Sequence, residues 1–296
     1  MTLRLDSHLP ADRRPSGAWS RRMLRARRAT IPVLCFLVTF GAGLAQKLEY
    51  APLEKVEVLE RAKDIPASDS LRAARIRDMF ADAGCNGRFL QEQASSSGPP
   101  NVICRLPGAT DETVIVGAHY NASATSQRPF DNWAGASLLT ALYQSLHQRK
   151  RHHTFIFVAF ADHGSDLAGS ESFAGRLSSS ESRHTEAMVN LEALGFSPTK
   201  VWTSHSDKDL VHSLVIMVYS LKLPASQIDM ETAGATDSEP FAARHIPRIT
   251  IHSLTRQNLE GAATPFRPNN YYDTYRLLCG YLAYLDVTLK PRSSVE

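Results

Sequence analysis

Val114-Ile115-Val116-Gly117-Ala118-His119-Tyr120-Asn121, followed by Phe130-Asp131-Asn132-Trp133-Ala134-Gly135, is the stretch that decides the reading of this chain. Val114 to Ala118 carries no polar side chain, which predicts a strand buried on both faces. The strand delivers His119 at its end. Asp131 stands just before an Ala- and Leu-rich run, Ala134 to His147, that predicts a helix. A His at a strand end and an Asp at a helix start can share a divalent metal. The same residues also suit a hydrogen-bonded structural His and a helix N-cap, so ligation and plain structure both stay open at this point.

Working outward, Leu71, Ala74, Ile76, Met79 and Phe80 fall near one helical face and predict a helix over Leu71 to Ala83, ended by Gly84. Gln91 to Pro100 reads as a Ser/Gly/Pro loop, and Pro107-Gly108 as a turn. Further strands are predicted at Asn101 to Leu106, Thr154 to Ala161, Ala187 to Leu191, Lys200 to Thr203 and Ile249 to Ile251. Helices are predicted at Leu167 to Leu177, at Asp207 to Leu221 with Ser206 as N-cap, and at Asn270 to Leu289. Arg149 to His153 reads as a solvated turn, and Asp237, Ser238 and Glu239 as a helix cap with an acidic first turn. Strands alternating with helices predict the α/β class: a single globular domain with a mostly parallel or mixed central sheet flanked by helices. The expected organisation is a leader over 1–45, the domain over 46–290 and a disordered tail over 291–296.

Polar residues of metal-ligand type recur where the predicted strands end: His119, then Asp162 and His163, then Glu192. In open α/β sheets, ligands collect outside the carboxyl ends of the strands, so these positions are the candidate site.

The net charge is +3 over 296 residues, with 43% apolar and 21% charged residues. Residues 1–45 hold eight Arg against two Asp, which leaves about −3 for Gln46 to Glu296. The basicity therefore belongs to the amino-terminal segment and not to a nucleic-acid surface. Arg21, Arg22, Arg25, Arg27 and Arg28 precede the uncharged run Ile31 to Ala45, which closes on Gly43-Leu44-Ala45. Fifteen apolar residues are short for a membrane span of about 20 and normal for a signal peptide. The expectation is an exported protein, periplasmic or extracellular, touching the membrane only if the leader stays uncleaved as an anchor. Export permits a disulfide between Cys85 and Cys104. Cys279 sits in an apolar helical pattern and reads as a core residue. A Gly-x-Ser-x-Gly elbow and a phosphate-cradling glycine loop are both missing from the sequence, which argues against a serine hydrolase and a nucleotide-binding P-loop.

From about Asn101 to Asp286 the chain resembles the zinc aminopeptidase family, which includes secreted bacterial leucyl aminopeptidases and is related to glutamate carboxypeptidase and glutaminyl cyclase. The matching pieces are Gly117-Ala118-His119-Tyr120, Asp131-Asn132-Trp133-Ala134-Gly135, Phe157-Val158-Ala159-Phe160 leading to Leu167-Ala168-Gly169-Ser170, Val189-Asn190-Leu191-Glu192, and Thr236-Asp237-Ser238-Glu239-Pro240-Phe241. The resemblance implies a two-zinc site in which His119 is a ligand, Asp131 bridges and Glu192 is a terminal carboxylate ligand. It places His163 where a general-base Glu belongs and Gly164 where a carboxylate ligand belongs. Glu260 falls nearest the family's last His ligand, with His252 an earlier candidate, and Asn121 replaces an Asp that orients the first His.

With that pair of glutamates replaced, the expected cofactor falls from two zinc ions to one. The expected activity is metal-dependent removal of N-terminal residues from peptides, weakened or lost, with a peptide or protein N-terminus as partner and His163 as a substitute base. The alternative is a non-catalytic peptide- or protein-binding module. A single-zinc enzyme like glutaminyl cyclase is a third reading.

Overall fold

Strand-forming and helix-forming stretches alternate along the computed structural model, which describes residues 48–94, 98–121, 129–161, 167–229, 234–259 and 264–292. The strands are β1 (Leu90–Gln93), β2 (Asn101–Leu106), β3 (Thr113–His119), β4 (Thr154–Phe160), β5 (Thr185–Glu192), β6 (Thr199–Trp202), β7 (Ala225–Ile228) and β8 (Arg248–His252). The helices are α1 (Lys55–Lys63), α2 (Asp69–Asp82), α3 (Pro129–His147), α4 (Ala168–Arg176), α5 (Ser179–Arg183), α6 (Lys208–Leu221), α7 (Glu239–Ala242), α8 (Arg256–Leu259) and α9 (Pro268–Thr288).

Among the described residues the strands make one sheet in the order β1-β2-β4-β3-β5-β8-β6-β7. Its middle, β4-β3-β5-β8, is parallel, while β1/β2, β2/β4 and β6/β8 pair antiparallel. The α/β class with a mixed, helix-flanked sheet is the predicted one. Every residue of β3 and of β5 is buried; the apolar run Val114 to Ala118 of β3 is covered on both faces as such runs require, while β5 also buries the polar Glu186 and Asn190.

Alternation along the strands sorts side chains onto two faces. Val114, Val116 and Ala118 join the larger core with residues of α1, α2, α3, α6 and α9. Ile115, Val158, Phe160 and Met188 face the other way and pack against Phe173 of α4, Phe241 of α7 and Ile246. Gly117 serves this second face: a Cβ there would lie 2.3 Å from the Phe160 ring.

Several expectations need correction. Gln91 to Gln93, predicted as loop, belong to edge strand β1, whose two central residues are exposed. Lys208 opens α6 with Asp207 at the N-cap position, and no side-chain cap bond forms. Ser206 instead donates to the Trp202 carbonyl and accepts from the Thr250 amide. The turn read as solvated is buried at Arg151 and His153. Asp286 of α9 gathers it, taking the His152 and His153 amides at 3.0 and 2.8 Å and the Arg151 guanidinium at 3.3 Å. Burial pulls the Arg151 pKa down, against the carboxylate of Asp286. A buried carboxylate so surrounded satisfies charges that would otherwise be costly inside.

Cys85 and Cys104 are bridged and Cys279 is a buried thiol, pushed up to about 12 by burial. Arg292, in the stretch read as tail, donates to the carbonyls of Ser182, Thr185 and His245. Among the described residues no helix is long and apolar enough to cross a membrane; the stretch read as a leader, 1–45, lies outside them.

Candidate metal centre

The strand order turns at β3. Its outgoing connection, through α3, leads to β4 on one side. The connection leaving β5 leads away on the other. A crevice therefore opens between the carboxyl ends of β3 and β5, the topological switch point where open α/β sheets bind ligands. Gly117 pairs with Asn190 across these strands, so the register carried two residues further sets His119 beside Glu192. Both follow the alternation of Ile115 and Met188 and face α4 and α7.

Contacts to Tyr120 hold the end of β3 in place. The buried Arg72 of α2 donates to the Tyr120 carbonyl at 2.9 Å and to the Pro66 carbonyl at 3.0 Å. The Tyr120 hydroxyl donates to the Pro100 carbonyl at 2.7 Å.

The third member of the group, an acidic one, comes from the approach to α7. Phe241 packs 6.1 Å from both Phe160 and Phe173, centroid to centroid, which seats this short helix on the second face. The hydroxyls of Thr236, Ser238 and Thr250 join in a buried chain at 2.7 and 3.1 Å that ties the approach to α7 onto β8. Asp237, between Thr236 and Ser238, is thereby carried inward and fully buried. The predicted cap is not made: Ser238 occupies the cap position without a side-chain cap bond.

His119 is held from two sides. Nδ1 lies 2.8 Å from Asp237 Oδ2 and Nε2 lies 2.7 Å from Asn132 Oδ1. Asn132 Nδ2 donates to the Asn121 carbonyl at 2.5 Å. The other Asp237 oxygen accepts from Ser170 Oγ at 2.7 Å. Asn190 Nδ2 donates to Glu192 Oε1 at 2.8 Å. Burial alone would push the His119 pKa down. The bonds to Asp237 and Asn132 and the charges of Asp237 and Glu192 outweigh it, and the pKa stands above the ordinary value. Both ring nitrogens face oxygens, so these surroundings favour the protonated ring more than water does.

His119, Glu192 and Asp237 bring one ring nitrogen and two carboxylate oxygens to within 4.8 Å of one another, all on buried residues. An imidazole with carboxylates is a donor set that zinc takes, with a fourth position for water, so these residues fit a zinc ion. A metal on His119 requires the ring to lose a proton, which couples its binding to pH.

Of the residues expected from sequence, His119 and Glu192 do meet. Asp131 lies in the first turn of α3, beside Asn132, with its side chain outside the described part. Asp162, His163, Gly164 and Glu260 lie outside the described residues. His252 is buried next to Glu192 in the β5/β8 register, yet it is not in the group. Its Nδ1 accepts from the Leu254 amide at 3.1 Å, and burial, helped by Lys200, pushes its pKa down to about 3. Asp237 went unrecognised as a site residue because an Asp before Ser-Glu-Pro has the pattern of a helix start. The one signal for it was its place in the Thr236 to Phe241 stretch that carries the resemblance.

Peptidase family M28 matches residues 101–276. Among solved structures, an aminopeptidase of Legionella pneumophila, LapA, aligns over 83% of this chain and 79% of its own, at 14% identity and TM-score 0.64. A glutaminyl cyclase from an Acidobacteriales bacterium aligns over 82% of this chain and 97% of its own, at 16% identity and TM-score 0.64. The zinc aminopeptidase of Bacillus subtilis aligns over 62% of this chain at 19% identity and TM-score 0.56, and the chain spans only 49% of that enzyme. At these identities the likeness is one of fold. No curated protein matches significantly.

Proposed function

The chain belongs to Peptidase family M28, and from that premise we propose an exported, aminopeptidase-like protein that binds one zinc and hydrolyses peptides weakly or not at all. The observation that carries this reading is the buried grouping of His119, Glu192 and Asp237 at the sheet's switch point. Zinc held there supplies Lewis-acid polarisation of a peptide carbonyl and a nucleophile at neutral pH. His119 and Glu192 would hold the ion, with Asp131 of α3 and Glu260 as the further ligands implied by the resemblance. His163 stands where a general base belongs, and loss of such a base typically lowers the rate by about 10² to 10⁴. Gly164 offers no side chain to a second metal, which supports one ion over two. The arginines and apolar run of residues 1–45 support export to the periplasm or beyond, with the leader either cleaved or kept as an anchor.

His163-Gly164 also favours a second reading: a non-catalytic module whose cleft holds a peptide or protein N-terminus.

The test is zinc content together with turnover of aminoacyl-arylamides, in wild type and His119→Ala. About one zinc per chain and a low, chelator-sensitive turnover, both lost in the variant, is the expected result. Zinc without turnover would favour the binding module. No zinc after exposure to the ion would end the metalloenzyme reading.

A further inference from the structure

The grouping of His119, Glu192 and Asp237 does not by itself say whether each one touches the metal. Two ligand atoms about 2.0 Å from a tetrahedral zinc lie roughly 3.3 Å apart. The 2.8 Å between His119 Nδ1 and Asp237 Oδ2 is shorter. It has the length of a charge-assisted N–H···O bond, in which a proton sits between the atoms. The other Asp237 oxygen is engaged at 2.7 Å by the Ser170 hydroxyl. Ser170 and Asp237 are both fully buried.

Ser170 reaches this position because of its neighbour. A Cβ on Gly169 would lie 2.0 Å from the Ala161 carbonyl oxygen. Only glycine lets the first turn of α4 press against the end of β4 and turn the next residue inward. The Leu167 carbonyl, at 3.0 Å from Ser170 Oγ, is the competing acceptor, and the carboxylate is both closer and charged.

We propose that Asp237 is a positioning residue rather than a zinc ligand, and that Ser170 positions it in turn. Ser170 donates to Asp237 Oδ1, Asp237 Oδ2 accepts the Nδ1 proton of His119, and Nε2 on the far side of the ring, which faces Asn132 Oδ1 at 2.7 Å in the metal-free protein, is the nitrogen a metal would take in place of that contact. A carboxylate behind a ligand histidine fixes its tautomer and orientation and raises its basicity. The assignment deepens the zinc reading above and rests on it for the metal alone, since the hydrogen-bonded chain stands in the metal-free protein.

The experiment uses the full chain and zinc alone as probe, with two readouts. Nitrogen-15 imidazole spectra of the zinc-free protein, at a pH where the His119 ring is neutral, should show the Nδ1–H tautomer. Asp237→Asn should lose that preference. Zinc titration against a chromophoric chelator should show Asp237→Asn keeping the wild-type stoichiometry with affinity weakened about 10- to 100-fold. Ser170→Ala should weaken it less, and Ser170→Thr, which keeps the hydroxyl, should restore it. A wild-type ring in the Nε2–H tautomer overturns the proposal, and that spectrum needs no variant to fold. So does complete loss of bound zinc in a folded Asp237→Asn, which would make Asp237 a ligand. Wild type with no zinc but an Nδ1–H tautomer removes the zinc reading and leaves the positioning chain standing.

Discussion

A Cβ placed on Gly135 would lie 2.9 Å from the carbonyl oxygen of Leu191 and 3.1 Å from Ala118 Cβ. Helix α3 therefore lies directly against the backbone of β3 and β5, just below the two site residues those strands deliver. The contact sets the height of the first turn of α3, and with it the reach of Asn132 to His119.

Gly135→Ala sets two effects against each other. Helix propensity alone would favour Ala by about 1 kcal/mol. Forcing a methyl against backbone in a packed interior costs about 1–3 kcal/mol. The expected result is net destabilisation, read as a lower urea midpoint, together with weaker zinc binding. Gly175→Ala on α4 is the control: nothing lies within 4 Å of its Cβ, so it should be neutral or stabilising. Equal midpoints for the two variants would refute the close approach.

His119 gives a pH dependence of definite sign. Burial lowers its pKa, but the partners Asp237, Asn132 and Glu192 win and raise it. A raised folded-state value stabilises the fold fully below the unfolded value of about 6.5. That contribution is lost as pH rises through the folded value. In zinc-stripped protein, the stability advantage of wild type over His119→Gln should shrink as pH rises above the unfolded value of about 6.5. Zinc competes with the same proton, so its affinity should move the opposite way, rising over that window with proton release. Urea melts and calorimetry in buffers of different ionisation enthalpy measure the two. A wild-type advantage that grows with pH would mean that burial, not Asp237, governs the ring.

Cys85–Cys104 ties the end of α2 to β2 across 19 residues of sequence. Closing a loop of that size is worth about 3 kcal/mol. Cys85→Ala/Cys104→Ala should lower the unfolding free energy by about that amount, and reductant should lower the wild-type Tm but leave the variant unmoved. A reductant-insensitive wild type would show that the bridge does not form.

The parallel middle of the sheet was legible because strands buried on both faces are largely apolar, as over Val114 to Ala118 of β3, Phe155 to Phe160 of β4 and Ala187 to Val189 of β5. The edges were not. Leu90–Gln93 and Ala225–Ile228 are half-solvated strands, and polar residues at such positions look like loop. Arg151 and His153 misled for a related reason. A charged residue is read as exposed unless its partner is known, and Asp286 is more than 130 residues away.

The site divides in the same way. His119 and Glu192 could be read from sequence because each is a polar residue ending an apolar strand, and the sheet itself brings strand ends together. What the tertiary structure alone decided is the company they keep. Asp237 faces His119 across 118 residues because Phe241 seats α7 on the sheet and Gly169 lets α4 carry Ser170 inward. Local sequence encodes burial and period, since these depend on neighbours a few residues apart. The pairing of a carboxylate with a histidine depends on packing between distant elements, and only the folded chain fixes it.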